Sequence, residues 1–459
     1  MAEALWRTPG NDWTADIEAV LRAALESADP YRAVQRNCRG EGKAFVLGEE
    51  RFESVDLGRV RVISIGKAAY AMAGAIHAFL GERIDVGWVL AKQAPLVEVN
   101  SSPRWHLLKG DHPVPGQGSL ESSLRIWNAL GNSSPNDLTV CLISGGGSAL
   151  FCLPREGLSL EDVRETTTAL LRAGADIAEI NTVRKHLEVN KGGGLARRLY
   201  PGRVVTFLLS DVIDAGEDNI ASGPTLPDPT TFGDALEVLE HYGLLAGVPP
   251  GVVELLRLGA AGDIQETPKP GDEVFVRTSS LVIGSNRIAA EAAVAEAPRH
   301  GFHSALGTTF LEGEASTVGL TLAALLKQMA QGGGLLPRPA CIVFGGETTV
   351  TVRGQGKGGR NLELALGAVQ KLAGVPGARL VSFATDGEDG PTDAAGAVVS
   401  GETYARGLAA GLDVRDSLAR NDSYSYFGTI DGLIKSGPSG TNVNDLCLLI
   451  TLPDERNAR

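Results

Sequence analysis

Short apolar runs separated by helical patterns constrain the fold of this chain more than any other feature. In the first half these runs are VRVISIG (60–66), VGWVLA (86–91), DLTVCLISGGGSA (137–149) and GRVVTFLLSDV (202–212). Between the last two, SLEDVRETTTALLRAG (159–174) has helical spacing, with Ser159 as a candidate N-cap. Continuous apolar strands separated by helices are typical of a parallel sheet covered on both faces. The first half is therefore predicted to be a large, Rossmann-like, doubly wound α/β domain.

The second half repeats this kind of pattern after a break. Proline and glycine at 249–251 and in AGDIQETPKPGDE (261–273) mark a boundary. Beyond it follow SSLVIGSNRIAAEAAVAEA (279–297), CIVFGGETTVTV (341–352), ARLVSFATDGEDG and DLCLLITL. A chain of 459 residues is also too long for one ordinary core. We predict a first domain over 1–265 and a smaller α/β domain over 270–459.

Composition excludes several classes of protein. The net charge of −13 argues against general affinity for nucleic acid, which needs a basic surface. No apolar run is long enough to span a membrane, and the N-terminus MAEALWRTPGNDW lacks a signal pattern. The five cysteines form no CxxC pair, so neither a zinc site nor a disulfide framework is indicated. We expect a cytoplasmic protein that acts on small molecules.

Polar and glycine-rich residues follow the predicted strands, where open parallel sheets bind ligands. They are Gly66 and Lys67; Ser144, Gly145, Gly146, Gly147 and Ser148; Ser210 and Asp211; Gly345, Gly346, Glu347 and Thr348; and Thr385, Asp386, Gly387 and Asp389. The triple-glycine turn is either an anion nest or only a tight turn. Lys67 alone could be a solvated lysine, and Asp211 and Asp386 could be N-caps.

The loop GQGKGGR (354–360) lies between a predicted strand and a predicted helix that starts at Asn361. Its glycines and the cations Lys357 and Arg360 suit an anion at a helix N-terminus, although the loop could be only a flexible connection. The segment INTVRKHLEVNKGGGLARRL (180–199) also has two possible interpretations. Its basic face could grip a carboxylate, or it could be a solvated face with a glycine C-cap.

Taken together, these loops match the needs of phosphoryl transfer, namely cations and amides for phosphates and carboxylates for Mg²⁺ and for the attacking hydroxyl. No Walker A motif is present, and no GxGxxG opens a helix after the first strand. We assign nucleotide or phosphate binding to Ser144, Gly145, Gly146, Gly147, Ser148, Lys191, Gly192 and Gly193. We assign substrate binding to Arg184, Lys185, Glu347 and Lys357, and metal binding to Asp386 and Asp389.

With these residues assembled, the chain resembles the class II glycerate kinase family, whose C-terminal part is called the MOFRL domain. The resemblance is carried by ordered blocks from about residue 60 to about residue 450: GKAAYAMA, KGDHPVPGQGS, SGGGSALFCLP, INTVRKHLEVNKGGGLA, SDVIDAGEDNIASGPT, GSNRIAAEAA, FGGETTVTVRGQGKGGRNLELAL, TDGEDGPTDAAGA and GTNVNDL. The first 40 residues add little to it.

The resemblance implies ATP-dependent phosphorylation of D-glycerate, in this family typically giving 2-phosphoglycerate. The hard oxygen ligands of the loops predict a need for Mg²⁺, and we expect a monomer or homodimer. The resemblance also implies an active site in a cleft between the two domains, with catalytic residues at Lys67, Asp211, Arg360 and Asp386. Two rival functions are a hydroxypyruvate reductase, which would need a dinucleotide motif, and a sensor that binds nucleotides or sugar phosphates without catalysis. Release of ADP with glycerate and MgATP would exclude the sensor.

Overall fold

A computed structural model of the chain describes residues 14–92, 103–213, 216–334 and 336–453. These residues form two compact units. The N-terminal unit comprises Pro30–Ile283. The C-terminal unit starts at Gly284 and also contains helix α1, Thr14–Ala28.

The N-terminal unit is built around a sheet of six strands. A small sheet of three strands precedes it in the sequence. The strands of this unit are β1 Cys38–Glu41, β2 Ala44–Leu47, β3 Glu50–Glu53, β4 Val60–Ile65, β5 Val86–Ala91, β6 Trp105–Lys109, β7 Leu138–Ser144, β8 Arg203–Leu209 and β9 Thr278–Gly284. Its helices are α2 Pro30–Arg36, α3 Ala69–Leu80, α4 Gln117–Ala129, α5 Gly147–Leu150, α6 Leu160–Ala173, α7 Ile177–Leu187, α8 Gly194–Leu199, α9 Phe232–His241 and α10 Pro250–Ala260.

The large sheet has the order β6-β5-β4-β7-β8-β9, and the pairs from β6 to β8 are parallel. The chain runs outward from β4 to β6 and then returns to place β7 on the other side of β4. Every residue of β4 and β7 is buried, as expected for strands covered on both faces. The predicted doubly wound fold is confirmed, and the loops after β4 and β7 flank its topological switch point.

Two hydrophobic clusters hold this unit. One joins alternate strand residues such as Ile63 and Ile143 to the buried faces of α4 and α8. The other is formed by α6, α7, α9 and α10, with Leu170, Val183 and Leu256 among its buried members. The predicted start of α6 is confirmed, because Ser159 and Asp162 form a reciprocal capping box.

The C-terminal unit has a mixed sheet of six strands. Its strands are β10 His303–Leu311, β11 Ala340–Gly346, β12 Ala378–Ala384, β13 Gly396–Ser400, β14 Leu433–Ile434 and β15 Asp445–Thr451. Its further helices are α11 Asn286–Glu296, α12 Ala315–Ala330, α13 Arg360–Leu372, α14 Thr403–Ala409, α15 Val414–Ala419 and α16 Ser423–Thr429.

Strand β15 organises this sheet. It pairs antiparallel with β11 on one side and with β12 on the other, so its first residue, Asp445, lies opposite both Gly346 and Ala384. Helices α12 and α13 cover the sheet with one continuous apolar cluster. The carboxyl ends of β11 and β12 thus meet beside Asp445.

The division into units differs from the predicted boundary at 265–270. Strand β9 belongs to the N-terminal sheet, whereas the sequence placed it in the second domain. Helix α1 packs on α11, and the Thr441 hydroxyl donates to the Ala28 carbonyl at 2.7 Å, which ties the start of the chain to the C-terminal unit. The strand expected over 341–352 ends at Gly346. None of the described helices is both long and apolar enough to cross a membrane.

Candidate active site

At the switch point of the N-terminal sheet, the loop after β4 is bonded to the loop after β7. The backbone N–H of Lys67 donates to the Gly145 carbonyl at 2.9 Å, and the next N–H, of Ala68, donates to the Ser144 hydroxyl at 3.1 Å. The Lys67 side chain itself is exposed. The structure therefore brings the predicted lysine to the predicted glycine turn.

The Asp211 carboxylate lies directly against this turn. A Cβ atom on Gly145 would stand only 1.9 Å from Asp211 Oδ2, so the close approach requires glycine there. Burial raises the pKa of Asp211, whereas the charge of Lys67 and a backbone hydrogen bond at Asp211 itself lower it. The three loops after β4, β7 and β8 thus present an ammonium, backbone amides and a carboxylate of raised pKa.

His112, which belongs to the sequence block KGDHPVPGQGS, completes this edge. A Cβ on Gly146, whose φ is 81°, would lie 2.9 Å from His112 Cδ2. Burial lowers the pKa of His112, and so do the charges of Lys67 and Lys92. Lys92 was missed, although its position directly after the strand VGWVLA could have revealed it. A depression of about 400 Å³ beside His112 is lined by Lys92, Lys109, Gly110, Asp111, His112, Pro113 and Val114.

The two serines of the turn serve the fold. The buried Ser144 hydroxyl accepts from Ala68 and donates to the Ile65 carbonyl at 3.3 Å, so it bridges the two strand ends. The Ser148 hydroxyl lies 2.8 Å from the Ser222 hydroxyl. The proposal of phosphate binding therefore moves from the two hydroxyls to the backbone of residues 145–147.

The basic segment that spans the last turn of α7 and the residues after it is placed differently from either sequence interpretation. Arg184 forms two bonds to Glu188 Oε1, at 3.2 and 3.1 Å, and Lys191 Nζ lies 3.3 Å from Glu188 Oε2. Both cations also donate to the Ser148 carbonyl at 2.8 Å. All three charged side chains are buried, so Arg184 and Lys191 support the glycine turn from beneath and are not available to a ligand.

The other predicted groups of this segment are also engaged internally. Lys185 is buried and donates to Asp218 at 2.5 Å. The N–H groups of Gly192 and Gly193 donate to the carbonyls of Ser222 and Gly223, at 3.0 and 2.8 Å. Because these donors are used, we remove Lys185, Gly192 and Gly193 from the candidate site.

In the C-terminal unit the candidate site centres on Arg360, the first residue of α13. Its Nε and Nη2 bind the two oxygens of Asp445 at 2.5 and 3.1 Å, and its Nη1 lies 2.7 Å from Glu347 Oε1. Burial lowers the pKa of Arg360, but the two carboxylates outweigh it and the net pKa is raised. Burial raises the pKa of Asp445 to about 6, against the opposing effect of Arg360. Arg360 is thus gripped by buried Asp445, while the half-exposed Glu347 holds its outer nitrogen.

Asp389 caps helix α13 and is not placed as a metal ligand. Its oxygens accept from the N–H groups of Asn361 at 3.0 Å and Leu362 at 2.8 Å. Gly359, the N-cap residue, has no side chain for this role. Burial raises the pKa of Asp389 to about 6 even though the two amides lower it. The anion predicted at this helix N-terminus is therefore the chain's own carboxylate.

Asp386 and Lys357 differ in what they offer. Asp386 is partly exposed, and one of its oxygens accepts from the Glu388 N–H at 3.1 Å. Lys357 Nζ lies over the Tyr424 ring, 4.7 Å from its centre, so the structure does not place it with Arg360. Across the described ranges, no three Asp, Glu, His or Cys side chains form a complete metal cage. Mg²⁺ commonly takes one or two carboxylates together with substrate phosphates, and Asp386 fits that mode.

Both units thus carry cations and carboxylates at the carboxyl ends of their strands, the arrangement of an α/β phosphotransferase. Residues 16–257 match a family described as "Domain of unknown function (DUF4147)", and residues 340–445 match the MOFRL family. A glycerate 2-kinase of Pyrococcus horikoshii is 42% identical over 429 residues, which cover 93% of this chain and 94% of that protein. The crystal structure of a glycerate kinase from Thermotoga maritima matches with a TM-score of 0.83 at 38% identity, over 95% of this chain and 98% of that one. A provisionally named hydroxypyruvate reductase of Agrobacterium vitis is 37% identical, over 94% of this chain and 92% of that protein.

These similarities show that the chain belongs to the glycerate kinase family that carries a MOFRL domain, and that it is a kinase. The family and enzyme class inferred from the sequence blocks are confirmed.

Proposed function

We propose that this protein transfers the terminal phosphoryl group of ATP to the 2-hydroxyl of D-glycerate, giving 2-phospho-D-glycerate and ADP. The names of its relatives support glycerate as the acceptor. The observation that carries the proposal is the meeting of Lys67, the turn at Gly145 and Asp211 at the switch point of the N-terminal sheet.

Asp211 takes the proton of the glycerate hydroxyl in this proposal. Its raised pKa makes the ionised carboxylate a stronger base, and the charge of Lys67 favours that ionised form against the effect of burial. Lys67 and the amides of residues 145–147 then bind phosphoryl oxygens, where negative charge is concentrated.

Arg360 supplies a second cation through its outer nitrogen. Asp445 occupies Nε and Nη2, so only Nη1 can exchange its partner without breaking the bidentate pair. Glu347 is 42% exposed and can leave Nη1 when a phosphoryl or carboxylate oxygen arrives. The predicted role of Glu347 in substrate binding therefore becomes that of a displaceable counter-charge.

Asp386 would hold Mg²⁺ together with the nucleotide phosphates. The ion, when bound, neutralises charge that develops on the phosphoryl group. Asp389 has no part in this, because both of its oxygens cap α13.

The test is ADP release from MgATP in the presence of D-glycerate, with L-glycerate and glycerol as controls and phosphorus NMR to identify the product. A 2-phosphate ester is expected. A 3-phosphate ester would contradict the assigned hydroxyl, and no ADP release with D-glycerate would contradict the substrate.

The name of the Agrobacterium vitis relative favours hydroxypyruvate reduction as a second candidate. Oxidation of NADH by hydroxypyruvate, followed by nicotinamide absorbance, tests it directly. We expect no change in absorbance, because the loop after the first long strand reads IGKAAY and lacks the glycine pattern of a dinucleotide site.

A further inference from the structure

A second concave site lies at the other edge of the N-terminal sheet. It has a volume of about 650 Å³ and is lined by Trp127, Gly131, Asn132, Ser133, Arg155, Val189, Lys191, Gly194, Arg197, Arg198, Tyr200, Pro201, Gln265, Thr267 and Pro268. Residues 131–133 precede β7, and residues 200 and 201 precede β8. The pocket is therefore at the amino ends of these strands, whereas residues 145–148 and Asp211 follow their carboxyl ends.

The lining of this pocket is basic, in a chain with 55 acidic and 42 basic residues. Three of its lining residues are arginines, and none of those that the structure describes is Asp or Glu. The fourth cation of the lining, Lys191, is buried beside Glu188 and is not counted as a ligand group. The volume is that of a site for a small molecule. An excess of acids over the whole chain makes such a lining unexpected for an ordinary surface hollow.

The arginines of the pocket have unused donors. The buried Nε atoms of Arg155 and Arg198 have no hydrogen-bond partner among the described residues. Arg155 donates to the Gln265 carbonyl at 3.3 Å and lies over the Phe232 ring, 5.0 Å from its centre. Arg198 donates to the Trp127 carbonyl at 3.4 Å and lies over the Trp127 ring, 5.7 Å from its centre. Buried donors without partners are costly, and a bound acceptor removes that cost.

The charges around the arginines also favour an anionic ligand. Burial lowers the pKa of Arg155, and so does the positive charge of Arg197, against an opposing effect of Glu266. The Glu266 carboxylate is itself committed, to His186 at 3.1 Å and to the Phe232 N–H at 3.0 Å. Arg197 is also under the influence of Asp272, which does not line the pocket.

We propose that this pocket binds a small polyanion that bears phosphate or carboxylate groups, held by Arg155, Arg197 and Arg198. Guanidinium groups bind such oxygens in pairs, and three of them match a ligand with more than one negative charge. The net charge of −13 makes nucleic acid an unsuitable ligand. The site is separate from the one proposed for phosphoryl transfer.

Isothermal titration of the full chain with pyrophosphate and with citrate tests the proposal. Arg155→Gln combined with Arg197→Gln is expected to weaken binding by about tenfold or more, because charge-assisted hydrogen bonds are lost. Arg172→Gln combined with Arg257→Gln removes the same charge from exposed positions of this unit and is expected to change affinity by less than about twofold.

If the double variant does not fold, Arg198→Gln alone replaces it, since the hydrogen bond of this side chain to the Trp127 carbonyl is long, at 3.4 Å. Binding of both probes supports a site that recognises negative charge in general. Binding of pyrophosphate alone identifies phosphate as the preferred group, and binding of citrate alone identifies carboxylate. The proposal is overturned if neither probe binds at about 10 mM. It is also overturned if the pocket variants bind as tightly as the wild type.

Discussion

At the scale of single residues, Lys67 acts on two titratable neighbours at once. Its charge lowers the pKa of Asp211 and also that of His112. It therefore favours the ionised carboxylate and the neutral imidazole, the two forms that accept a proton. One exposed lysine thus acts on both groups of the edge that we assign to catalysis, in addition to the larger effect of their burial.

Lys67→Ala should reduce turnover by about a hundredfold or more, because a charge that stabilises the transition state is lost. The carboxylate form of Asp211 exists only above its raised pKa, and loss of Lys67 raises that pKa further. The acidic limb of the kcat/KM profile should therefore move to higher pH, and NMR titration should show a raised pKa for His112. Lys43→Ala, at an exposed lysine, is the control. An unchanged acidic limb would show that the charge of Lys67 does not act on the pKa of Asp211.

Arg360 is paired with Asp445 in the structure, in addition to its proposed contact with a phosphoryl or carboxylate oxygen. Arg360→Ala should reduce turnover, and it should also destabilise the C-terminal unit by about 1–3 kcal/mol because it leaves Asp445 buried and unpaired. Arg360→Ala combined with Asp445→Asn should recover most of that stability without recovering turnover. Urea denaturation and steady-state kinetics on the same variants measure both effects. Recovery of turnover in the double variant would show that Arg360 has no direct part in the reaction.

At the scale of elements, the start of α13 depends on a residue outside the helix. Asp389 accepts the N–H groups of Asn361 and Leu362 and so fixes the turn that carries Arg360. Asp389→Ala should cost about 1–2 kcal/mol of unfolding free energy, as for other N-cap losses, and should lower the rate because Arg360 loses its fixed position. Magnesium dependence should stay unchanged. The control is Glu388→Ala at the exposed neighbour, and a shift in magnesium dependence for Asp389→Ala would restore its role as a metal ligand.

The buried charged residues at the end of α7 stabilise a second element. Glu188 lies between Arg184 and Lys191, and all three are nearly inaccessible to solvent. Glu188→Ala should destabilise the protein by about 3–5 kcal/mol, since two buried cations lose their counter-charge. Glu156→Ala, on the surface, should have almost no effect. A loss below about 1 kcal/mol in thermal or urea denaturation would mean that this triad does not support the glycine turn.

These elements also show what sequence can and cannot predict. The capping box at Ser159 and the helical pattern from Asn361 are local signals, and the structure has both helices where the sequence placed them. By contrast, Arg184 donates to the carbonyl of Ser148, which is 36 residues earlier in the chain, and the local sequence does not show this contact. A basic helical face looks the same in sequence whether it meets a ligand, solvent or a buried carboxylate.

At the scale of the whole molecule, the local sequence pattern could not predict which unit β9 and α1 belong to. Strand β9 follows a proline-rich segment and still joins the N-terminal sheet. Helix α1 joins a unit whose other described residues begin more than 250 positions later, where Asp16 lies 2.7 Å from His300 Nδ1. Strand and helix patterns specify an element but not its partner, and long-range pairing depends on complementary packing surfaces. The family resemblance supplied the order of the two domains, but it could not place these two elements.

The last prediction concerns Asp211 and Asp386 and the separate roles that we propose for these two carboxylates. Asp211 has a pKa raised by burial, which suits the base, whereas the partly exposed Asp386 suits a magnesium ion held jointly with phosphates. Asp386→Asn should raise the magnesium concentration needed for half-maximal rate. Asp211→Asn should lower the maximal rate at saturating magnesium, by about a hundredfold, and leave that concentration unchanged.

Rates measured over a magnesium titration at saturating ATP and D-glycerate distinguish these outcomes. Glu388→Gln, next to Asp386, is the matched control for loss of a carboxylate near the metal and should leave the titration unchanged. If Asp211→Asn shifts the magnesium dependence and Asp386→Asn does not, the two roles are exchanged. If neither variant shifts it, the metal is held by groups other than these two carboxylates, because removal of a ligand oxygen must weaken a site that uses it.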